Sequence, residues 1–168
     1  DTITGGGGAD VLSGAAGNDL FYYTATADLF SGNQIADAIT GGAGTDSIVI
    51  NNNGGATFTI VAADDFTSGT RDMATVESIT AAASDNIITI TTHATAFTDG
   101  IVTIDLSGDT DATGANVIDV SNDDGSEAWT LTGSAGVDTI TGDGGIDTIT
   151  GGGGADVLVG GAGADLFY

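Results

Sequence analysis

Residues 133–168 read GSAGVDTIT, GDGGIDTIT, GGGGADVLV and GGAGADLFY, which are four units of nine residues in one unbroken frame. Each unit has glycine at its first and fourth positions, aspartate at the sixth and an apolar residue at the eighth. A short fixed period is typical of solenoids, in which each repeat is one structural unit that stacks on its neighbours. The stretch therefore predicts a stack of short, similar turns.

The same frame governs residues 1–49, where an aspartate recurs at every ninth position and an apolar residue follows two positions later. The six aspartates are Asp1, Asp10, Asp19, Asp28, Asp37 and Asp46. The glycines are less regular, since residues 23–31 have none and residues 32–40 retain only Gly32. We therefore expect these two units to lack competent ion loops.

A longer repeat joins the two regions. Residues 1–22 return as residues 147–168 with 19 of 22 positions identical, an offset of 146 residues. Because the chain also starts at the sixth position of a nonapeptide and stops at the ninth, we expect tandem copies of a unit of about 146 residues, as in repeat arrays.

The nine-residue frame lapses between residues 50 and 132, but β-branched runs continue. Residues 57–61, 86–91, 101–106, 116–121 and 129–132 are predicted strands. Their central residues Ile90, Ile104, Ile118 and Leu131 lie 14, 14 and 13 residues apart, which favours wider coils of the same ladder over a separate β-insert. Residues 62–76 are the least strand-like and are expected to hold a helical turn or an excursion. The predicted organisation is a nonapeptide segment at 1–49, an irregular segment at 50–132 and a second nonapeptide segment at 133–168.

The charge balance indicates a need for cations. There are 24 acidic residues and one basic residue, Arg71, so the net charge is −23 and a folded chain repels itself. Nucleic acids and anionic lipids are excluded as partners because basic patches are lacking. A hydrophobic content of 40% and a mean hydropathy of +0.22 argue against a disordered acidic tail.

The chain has no cysteine and only one histidine, His93, so it lacks the soft ligands of a zinc or copper site and is expected to bind hard cations through oxygen atoms. It has no apolar run of membrane-spanning length and no amino-terminal secretion signal.

Each unit predicts a tight loop followed by a short strand. Thr148, Ile149 and Thr150 alternate polar and apolar character, which places one side chain inside the coil and two outside. Glycines at the first, second and fourth positions permit positive φ and leave space in which carbonyl oxygens converge. The aspartate adds a carboxylate to these carbonyls. Calcium prefers about six to eight hard oxygen ligands, so two stacked loops are expected to share one ion.

Two nonapeptides per coil would place stacked loops 18 residues apart. That spacing predicts the pairs Asp1 with Asp19, Asp138 with Asp156, and Asp147 with Asp165, and more weakly Asp10 with Asp28, Asp19 with Asp37, and Asp28 with Asp46. The predicted ligands of several calcium ions are the aspartates Asp1, Asp10, Asp19, Asp28, Asp37, Asp46, Asp138, Asp147, Asp156 and Asp165 and the glycines Gly6, Gly8, Gly17, Gly42, Gly44, Gly136, Gly145, Gly152, Gly154, Gly161 and Gly163. Each coil buries only about two apolar residues, whereas ordering its backbone costs ~1–2 kcal/mol per residue. Burial alone is therefore not expected to stabilise the fold, and we expect the chain to be largely unstructured without calcium.

The unit GGGGADVLV-GGAGADLFY resembles the RTX nonapeptide, written GGxGxDxUx. The resemblance covers residues 133–168 well, 1–22 and 41–49 fairly and 23–40 poorly. It implies an all-β fold, a right-handed parallel β-roll or β-helix solenoid with calcium between stacked glycine-rich turns. It also implies type I secretion and folding outside the cell. The Thr-, Ile- and Asp-rich middle resembles segments of bacterial surface-layer proteins and large adhesins, so a bacterial cell-surface location is expected.

A structural, non-enzymatic role in a surface layer, filament or adhesin stalk is the expected function. The sequence has no GxSxG or HExxH motif, the four-glycine stretches lack the lysine of a phosphate loop, and His93 lies in a predicted strand or turn. One open alternative is an RTX accessory domain of a secreted enzyme. Another is a ligand-binding or ice-binding solenoid, because three pairs of threonines are expected to point outward: Thr2 with Thr4, Thr139 with Thr141, and Thr148 with Thr150. Expected partners are further copies of the chain, head to tail or in tandem, and cell-surface glycans.

Overall fold

The computed structural model describes residues 1–52, 57–66, 73–82, 87–97, 100–123 and 125–168. Almost all regular structure in these ranges is β-strand. One sheet of eight strands, the long sheet, contains β1(Thr2–Ile3), β3(Leu20–Tyr23), β7(Ser47–Ile50), β10(Ser78–Ala81), β12(Thr103–Asp105), β14(Thr130–Thr132), β16(Thr148–Thr150) and β18(Leu166–Phe167), in that spatial order.

Two further parallel sheets hold the alternate strands of the coils. The amino-terminal sheet contains β2(Val11–Ala16), β6(Ala38–Ala43) and β9(Met73–Ala74). The carboxy-terminal sheet contains β8(Thr57–Ile60), β11(Ile87–Thr91), β13(Val117–Asp119), β15(Thr139–Thr141) and β17(Val157–Val159). Since every pairing in these three sheets is parallel and joins strands of successive coils, the predicted parallel β-solenoid is confirmed.

The core is a column of apolar side chains in register along the long sheet. In the three-residue strands β12, β14 and β16 the central residue points inward and the two flanking residues point outward, as the pleat requires. The inward residues pair directly from strand to strand and are fully buried: Phe21, Ile48, Ile79, Ile104, Leu131 and Ile149. This column explains why the eighth position of the nonapeptide is always apolar.

The coils differ in length although they share the long sheet. Thr130, Thr148 and Leu166 occupy equivalent positions 18 residues apart, which is two nonapeptides per coil as predicted. Leu20 and Ser47 are also equivalent, so the coil between them takes 27 residues. The prediction of two nonapeptides per coil is therefore wrong for residues 20–46.

The extra residues of this coil form a local excursion instead of a repeat loop and strand. A single helical turn, α1(Thr26–Leu29), is followed by an antiparallel hairpin of β4(Phe30–Ser31) and β5(Gln34–Ile35). Both turn residues, Gly32 and Asn33, have φ of 63°, as a two-residue type I′ hairpin requires. Phe30 packs edge-on against Phe66 with ring centroids 5.0 Å apart, which anchors the hairpin to the core.

The helical turn predicted within residues 62–76 is not found among the described residues of that range, where Met73–Ala74 form β9; residues 67–72 lie outside the described ranges. The predicted strands at 57–61, 101–106, 116–121 and 129–132 correspond to β8, β12, β13 and β14, and β11 begins at Ile87. These strands pair within the same two sheets as the nonapeptide strands. Trp129 is buried, with its ring edge-on to Phe97 at 5.6 Å.

Within the ranges that the structure describes, no helix is long and apolar enough to cross a membrane.

Candidate metal centre

The repeat aspartates form ladders along the stack, in which one carboxylate oxygen joins each aspartate to the next coil. Asp147 and Asp165 stand directly before β16 and β18, and the Asp147 N–H donates to Asp165 Oδ1 at 3.0 Å. The Asp138 N–H donates in the same way to Asp156 Oδ1 at 3.0 Å. Each Oδ1 therefore satisfies the backbone amide that precedes a strand, and this bond fixes the direction of the second oxygen.

Three of the predicted aspartate pairs are brought together. They are Asp138 with Asp156, Asp147 with Asp165, and Asp1 with Asp19, where the Asp1 amino group contacts Asp19 Oδ1. The amino-terminal spacing beyond Asp19 is different. The Asp10 N–H donates to Asp37 Oδ1 at 2.9 Å, and the Asp19 N–H donates to Asp46 Oδ1 at 2.8 Å.

The predicted pairs Asp10 with Asp28, Asp19 with Asp37, and Asp28 with Asp46 are therefore wrong. Asp28 lies in α1, so the ladder skips it and joins aspartates 27 residues apart. The physical reason is the missing glycine loop in residues 23–31. Without it, this unit folds as a helical turn and does not contribute a stacked loop and strand. Asp28 Oδ1 lies 3.4 Å from the position that a Cβ on Gly7 would occupy, beside the first loop.

The second carboxylate oxygens carry the signal for a cation. Oδ2 of Asp10, Asp19 and Asp46 is buried and has no hydrogen-bond partner. Asp19 and Asp46 are fully buried. A buried acceptor without a partner costs ~1–3 kcal/mol, and more when it is charged, so native structures rarely leave one. These oxygens fit a bound cation that completes their coordination.

The first-position glycines provide the space into which these oxygens point. A Cβ on Gly133 would lie 2.5 Å from Asp138 Oδ2, and a Cβ on Gly142 would lie 2.5 Å from the carbonyl oxygen of Gly160. A carboxylate from one loop and a carbonyl from the next coil thus converge above a glycine Cα. This combination of hard oxygens, drawn from two loops, suits calcium.

The predicted positive φ is confirmed for the second-position glycines and for most fourth-position glycines, and it is wrong for the first-position glycines apart from Gly32, which lies in the hairpin turn. Positive φ is found at Gly6, Gly8, Gly17, Gly42, Gly44, Gly152, Gly154, Gly161 and Gly163. It is absent at the first-position glycines Gly5, Gly14, Gly41, Gly133, Gly142, Gly151 and Gly160, where lack of a side chain provides room instead. Gly136 and Gly145 also lack positive φ. A Cβ there would strike the carbonyl oxygens of Gly114 and Glu127 respectively.

Two loops satisfy their carboxylates with side-chain hydroxyls. The Ser134 hydroxyl lies 3.0 Å from both oxygens of Asp138, and the Ser134 N–H donates to Asp138 Oδ2 at 2.6 Å. The Tyr23 hydroxyl donates to Asp37 Oδ2 at 2.8 Å across the buried interior. Burial and the adjacent Asp37 raise the pKa of the Tyr23 phenol far above its usual range. These carboxylates are less dependent on a cation than those of Asp19 and Asp46.

Crowded carboxylates repel one another in the ion-free chain. Burial raises the pKa of Asp147, and the charges of Asp143 and Asp165 raise it further. Asp143 stands at the second position of its unit, where glycine is usual, and its Oδ2 is buried without a partner. No group of three or more His, Cys, Asp or Glu side chains is placed to hold a metal among the described residues, so backbone carbonyls have to supply much of any coordination sphere.

Sequence reasoning missed the members of the ladder that lie outside the nine-residue frame. Glu77 Oε2 accepts from the Asp46 N–H at 2.8 Å, and Asn116 Oδ1 accepts from the Ile88 N–H at 2.8 Å. Trp129 takes an aspartate position and donates its N–H to Asp147 Oδ1 at 2.9 Å. The available signal was position, because Glu77 and Asn116 each stand directly before a strand. Their residue types differ from aspartate, so the periodicity did not reveal them.

The comparison with protein families gives one match. Residues 1–21, 22–49 and 132–167 match the family described as the RTX calcium-binding nonapeptide repeat (4 copies), which is just over half of the chain. No curated protein and no solved structure matches the chain.

Proposed function

The chain belongs to the RTX calcium-binding nonapeptide repeat family, and from that premise we propose that it is an extracellular structural repeat of a secreted bacterial surface protein, which folds and assembles when it binds calcium. Calcium ions between successive glycine loops hold the coils together. The role is mechanical and not catalytic, in a surface layer, a filament or an adhesin stalk.

The observation that carries the proposal is the set of buried, unpartnered Oδ2 atoms on Asp10, Asp19 and Asp46. In a chain with net charge −23, a bound cation neutralises these oxygens and removes the cost of burying them near neutral pH. Calcium that binds the stacked loops, and hardly binds the unfolded chain, stabilises the fold by linkage. Folding outside the cell fits this requirement, because calcium is abundant there.

The non-catalytic part of the proposal is supported by the uniform use of the carboxylates. Their Oδ1 atoms repeat one backbone contact from coil to coil, whereas an acid and base pair requires two different environments. The single histidine, His93, has its Nδ1 atom 3.0 Å from the Thr95 hydroxyl. That contact accounts for the histidine as part of a turn.

Calcium titration of the ion-free chain tests the proposal. We expect excess chelator to remove most of the β-sheet signal in circular dichroism and calcium to restore it, while magnesium at the same concentration does not. Magnesium demands smaller, near-octahedral coordination, which loops of converging carbonyls do not provide. A spectrum that excess chelator leaves unchanged would overturn the proposal.

Assembly with further copies is the proposed route to a surface structure. Residues 1–22 and 147–168 are nearly identical, and they supply the equivalent strand sets β1, β2, β3 and β16, β17, β18. An edge strand offers unpaired backbone groups to another chain. In the presence of calcium, electron microscopy is expected to show filaments or a lattice, and after chelation it is expected to show dispersed chains. Cell-surface glycans are a second proposed class of partner.

One observation favours a second candidate function, the binding of ice or another regular ligand. Thr103, Thr130 and Thr148 pair in register on the long sheet, and Thr132 pairs with Thr150 beside them. Parallel strands place such hydroxyls at regular intervals. Ice recrystallisation that proceeds normally in the presence of the calcium-loaded chain would exclude this candidate.

A further inference from the structure

We propose that Asp46, Thr75 and Glu77 bind a further divalent cation, at the joint between the amino-terminal repeats and the irregular middle of the chain. The inference rests on the proposed function, because it extends calcium binding to a loop that no nonapeptide supplies. The amino-terminal part of the family match ends at residue 49 and the match resumes at residue 132, so Thr75 and Glu77 lie outside it.

Strand register brings the two halves of this site together. Ile39 pairs with Met73 and Thr40 pairs with Ala74, so the residues that follow, Gly41 and Thr75, are neighbours on successive coils. A Cβ on Gly41 would strike both the carbonyl oxygen of Thr75 and Asp46 Oδ2. The two oxygens therefore converge on one point above the Gly41 Cα.

The same arrangement recurs where both loops are nonapeptides. A Cβ on Gly14 would lie 2.5 Å from the Gly41 carbonyl oxygen, and it would also strike Asp19 Oδ2. In that site Gly41 provides the carbonyl of the next coil. Thr75 provides the equivalent carbonyl at the joint, so the cation geometry continues although the sequence motif has ended.

Asp46 supplies an oxygen that needs a partner. Its side chain is fully buried, Oδ1 accepts from the Asp19 N–H at 2.8 Å, and Oδ2 has no hydrogen-bond partner. A cation on Oδ2 removes the cost of this buried, unpaired charge.

Glu77 brings a second carboxylate into contact with the Asp46 backbone. Glu77 Oε2 accepts from the Asp46 N–H at 2.8 Å, and the Glu77 N–H donates to the Asp46 carbonyl at 3.1 Å. Glu77 thus occupies the position of the next aspartate in the ladder. A cation between the two coils would be balanced by both negative charges.

The backbone of Thr75 is strained in a way that serves the site. Its φ of 53° is in the left-handed region, which is costly for a β-branched residue. The Thr75 hydroxyl accepts from the Gly42 N–H at 2.7 Å, which ties the strained residue to the opposite loop. In this conformation the Thr75 carbonyl oxygen lies beside the point above the Gly41 Cα that Asp46 Oδ2 also approaches, so the strained residue contributes to the site.

The number of bound ions tests the inference. Calcium titration by calorimetry, with atomic-emission analysis of the dialysed chain, is done on the unmodified chain, on Glu77→Gln and on the control Asp105→Asn. Glu77→Gln keeps an acceptor for the Asp46 N–H and removes the charge. We expect it to lose one equivalent of bound calcium. Asp105 caps the Ser107 N–H at 2.9 Å in an exposed turn, so its variant is expected to bind as many ions as the unmodified chain.

The outcomes separate this inference from the proposed function. An unmodified chain that binds no calcium defeats the proposed function. A chain that binds calcium, together with a Glu77→Gln variant that binds the same number of ions equally tightly, overturns the inference alone. Should Glu77→Gln fail to fold, Glu77→Asp decides the question: it retains the charge on a shorter side chain, and an isotherm with one weakened ion supports the site, whereas an unchanged isotherm overturns it.

Discussion

Each aspartate of the ladders has a separate role for each of its two carboxylate oxygens. Oδ1 accepts a backbone N–H from the neighbouring coil, as Asp165 does from Asp147, and Oδ2 turns toward the glycine loop. The hydrogen bond to Oδ1 fixes the orientation of the carboxylate, so Oδ2 is already directed toward the loop in the folded coil. An asparagine can perform the first task, as Asn116 does for Ile88, but it cannot perform the second as well because it lacks the charge.

The first-position glycines are expected to be needed for space, and a matched pair of alanine variants tests this. Gly142→Ala places a methyl group 2.5 Å from the Gly160 carbonyl oxygen, whereas a Cβ on Gly7 meets only Asp28 Oδ1 at 3.4 Å. Neither glycine has positive φ. We expect Gly142→Ala to lower the free energy of unfolding by ~1–3 kcal/mol, by urea titration in calcium, through overpacking.

Gly7→Ala is expected to change the free energy of unfolding by less than ~1 kcal/mol and in either direction, since it also restricts the unfolded chain. Equal losses for the two variants would mean that glycine serves these loops through flexibility and not through room.

At the scale of the element, the excursion at residues 23–35 decides how the amino-terminal coils stack. Its helical turn and hairpin replace one loop and strand, so the coil grows to 27 residues while β3 and β7 remain directly paired. The hairpin depends on two left-handed residues, Gly32 and Asn33. Both residue types tolerate that conformation, for different reasons: glycine has no Cβ, and the asparagine side chain bonds locally.

Gly32→Ala is expected to destabilise the calcium-loaded chain by ~1–2 kcal/mol, the cost of a left-handed residue with a Cβ. The control Asn33→Gly keeps a permissive residue in the same turn and is expected to be nearly neutral. Thermal unfolding followed by circular dichroism measures both. A Gly32→Ala variant as stable as the unmodified chain would show that the hairpin adopts another turn at no cost.

The sequence predicted the parallel stack because the nonapeptide repeats two physical requirements together, an apolar residue for the column and a loop able to turn. It also located the strands of the middle region, since their β-branched runs do not depend on the period. It did not predict the pairing of Asp10 with Asp37, because the missing glycines at 23–31 show that a loop is lost and not what replaces it. The sequence also did not predict a role for Thr75, because the group that it contributes is a backbone carbonyl, which every residue type has.

At the scale of the whole molecule, we expect protonation at low pH to stabilise the fold as calcium does at neutral pH, because both neutralise buried carboxylates. Burial raises the pKa of Asp147 and Asp64 above the ordinary value of ~3.9, so the ion-free folded chain holds protons more tightly than the unfolded chain does. The stability that these groups contribute is fully present below pH ~4 and is lost as the pH rises through their raised pKa values. We expect chelated chain to gain β-sheet signal when it is titrated from pH 7 toward pH 4.

The calcium-loaded chain is expected to show the opposite trend, because protons compete with the ion for the same carboxylates and weaken its binding as the pH falls. Circular dichroism at several pH values, with and without chelator, compares the two trends. A chelated chain that loses structure steadily on acidification would contradict the assignment of raised pKa values.

The unequal coils of the long sheet show that the number of residues in a coil does not set the axial rise of that coil. Neighbouring strands are spaced by about 4.8 Å whether a coil is 18 or 27 residues long, so the eight strands rise by about 34 Å in total. An insertion within a coil therefore thickens the rod locally and leaves its axial pitch unchanged. Such a molecule can accept insertions of different lengths at its surface while the axial rise per coil stays constant, so its length is set by the number of coils and not by the number of residues.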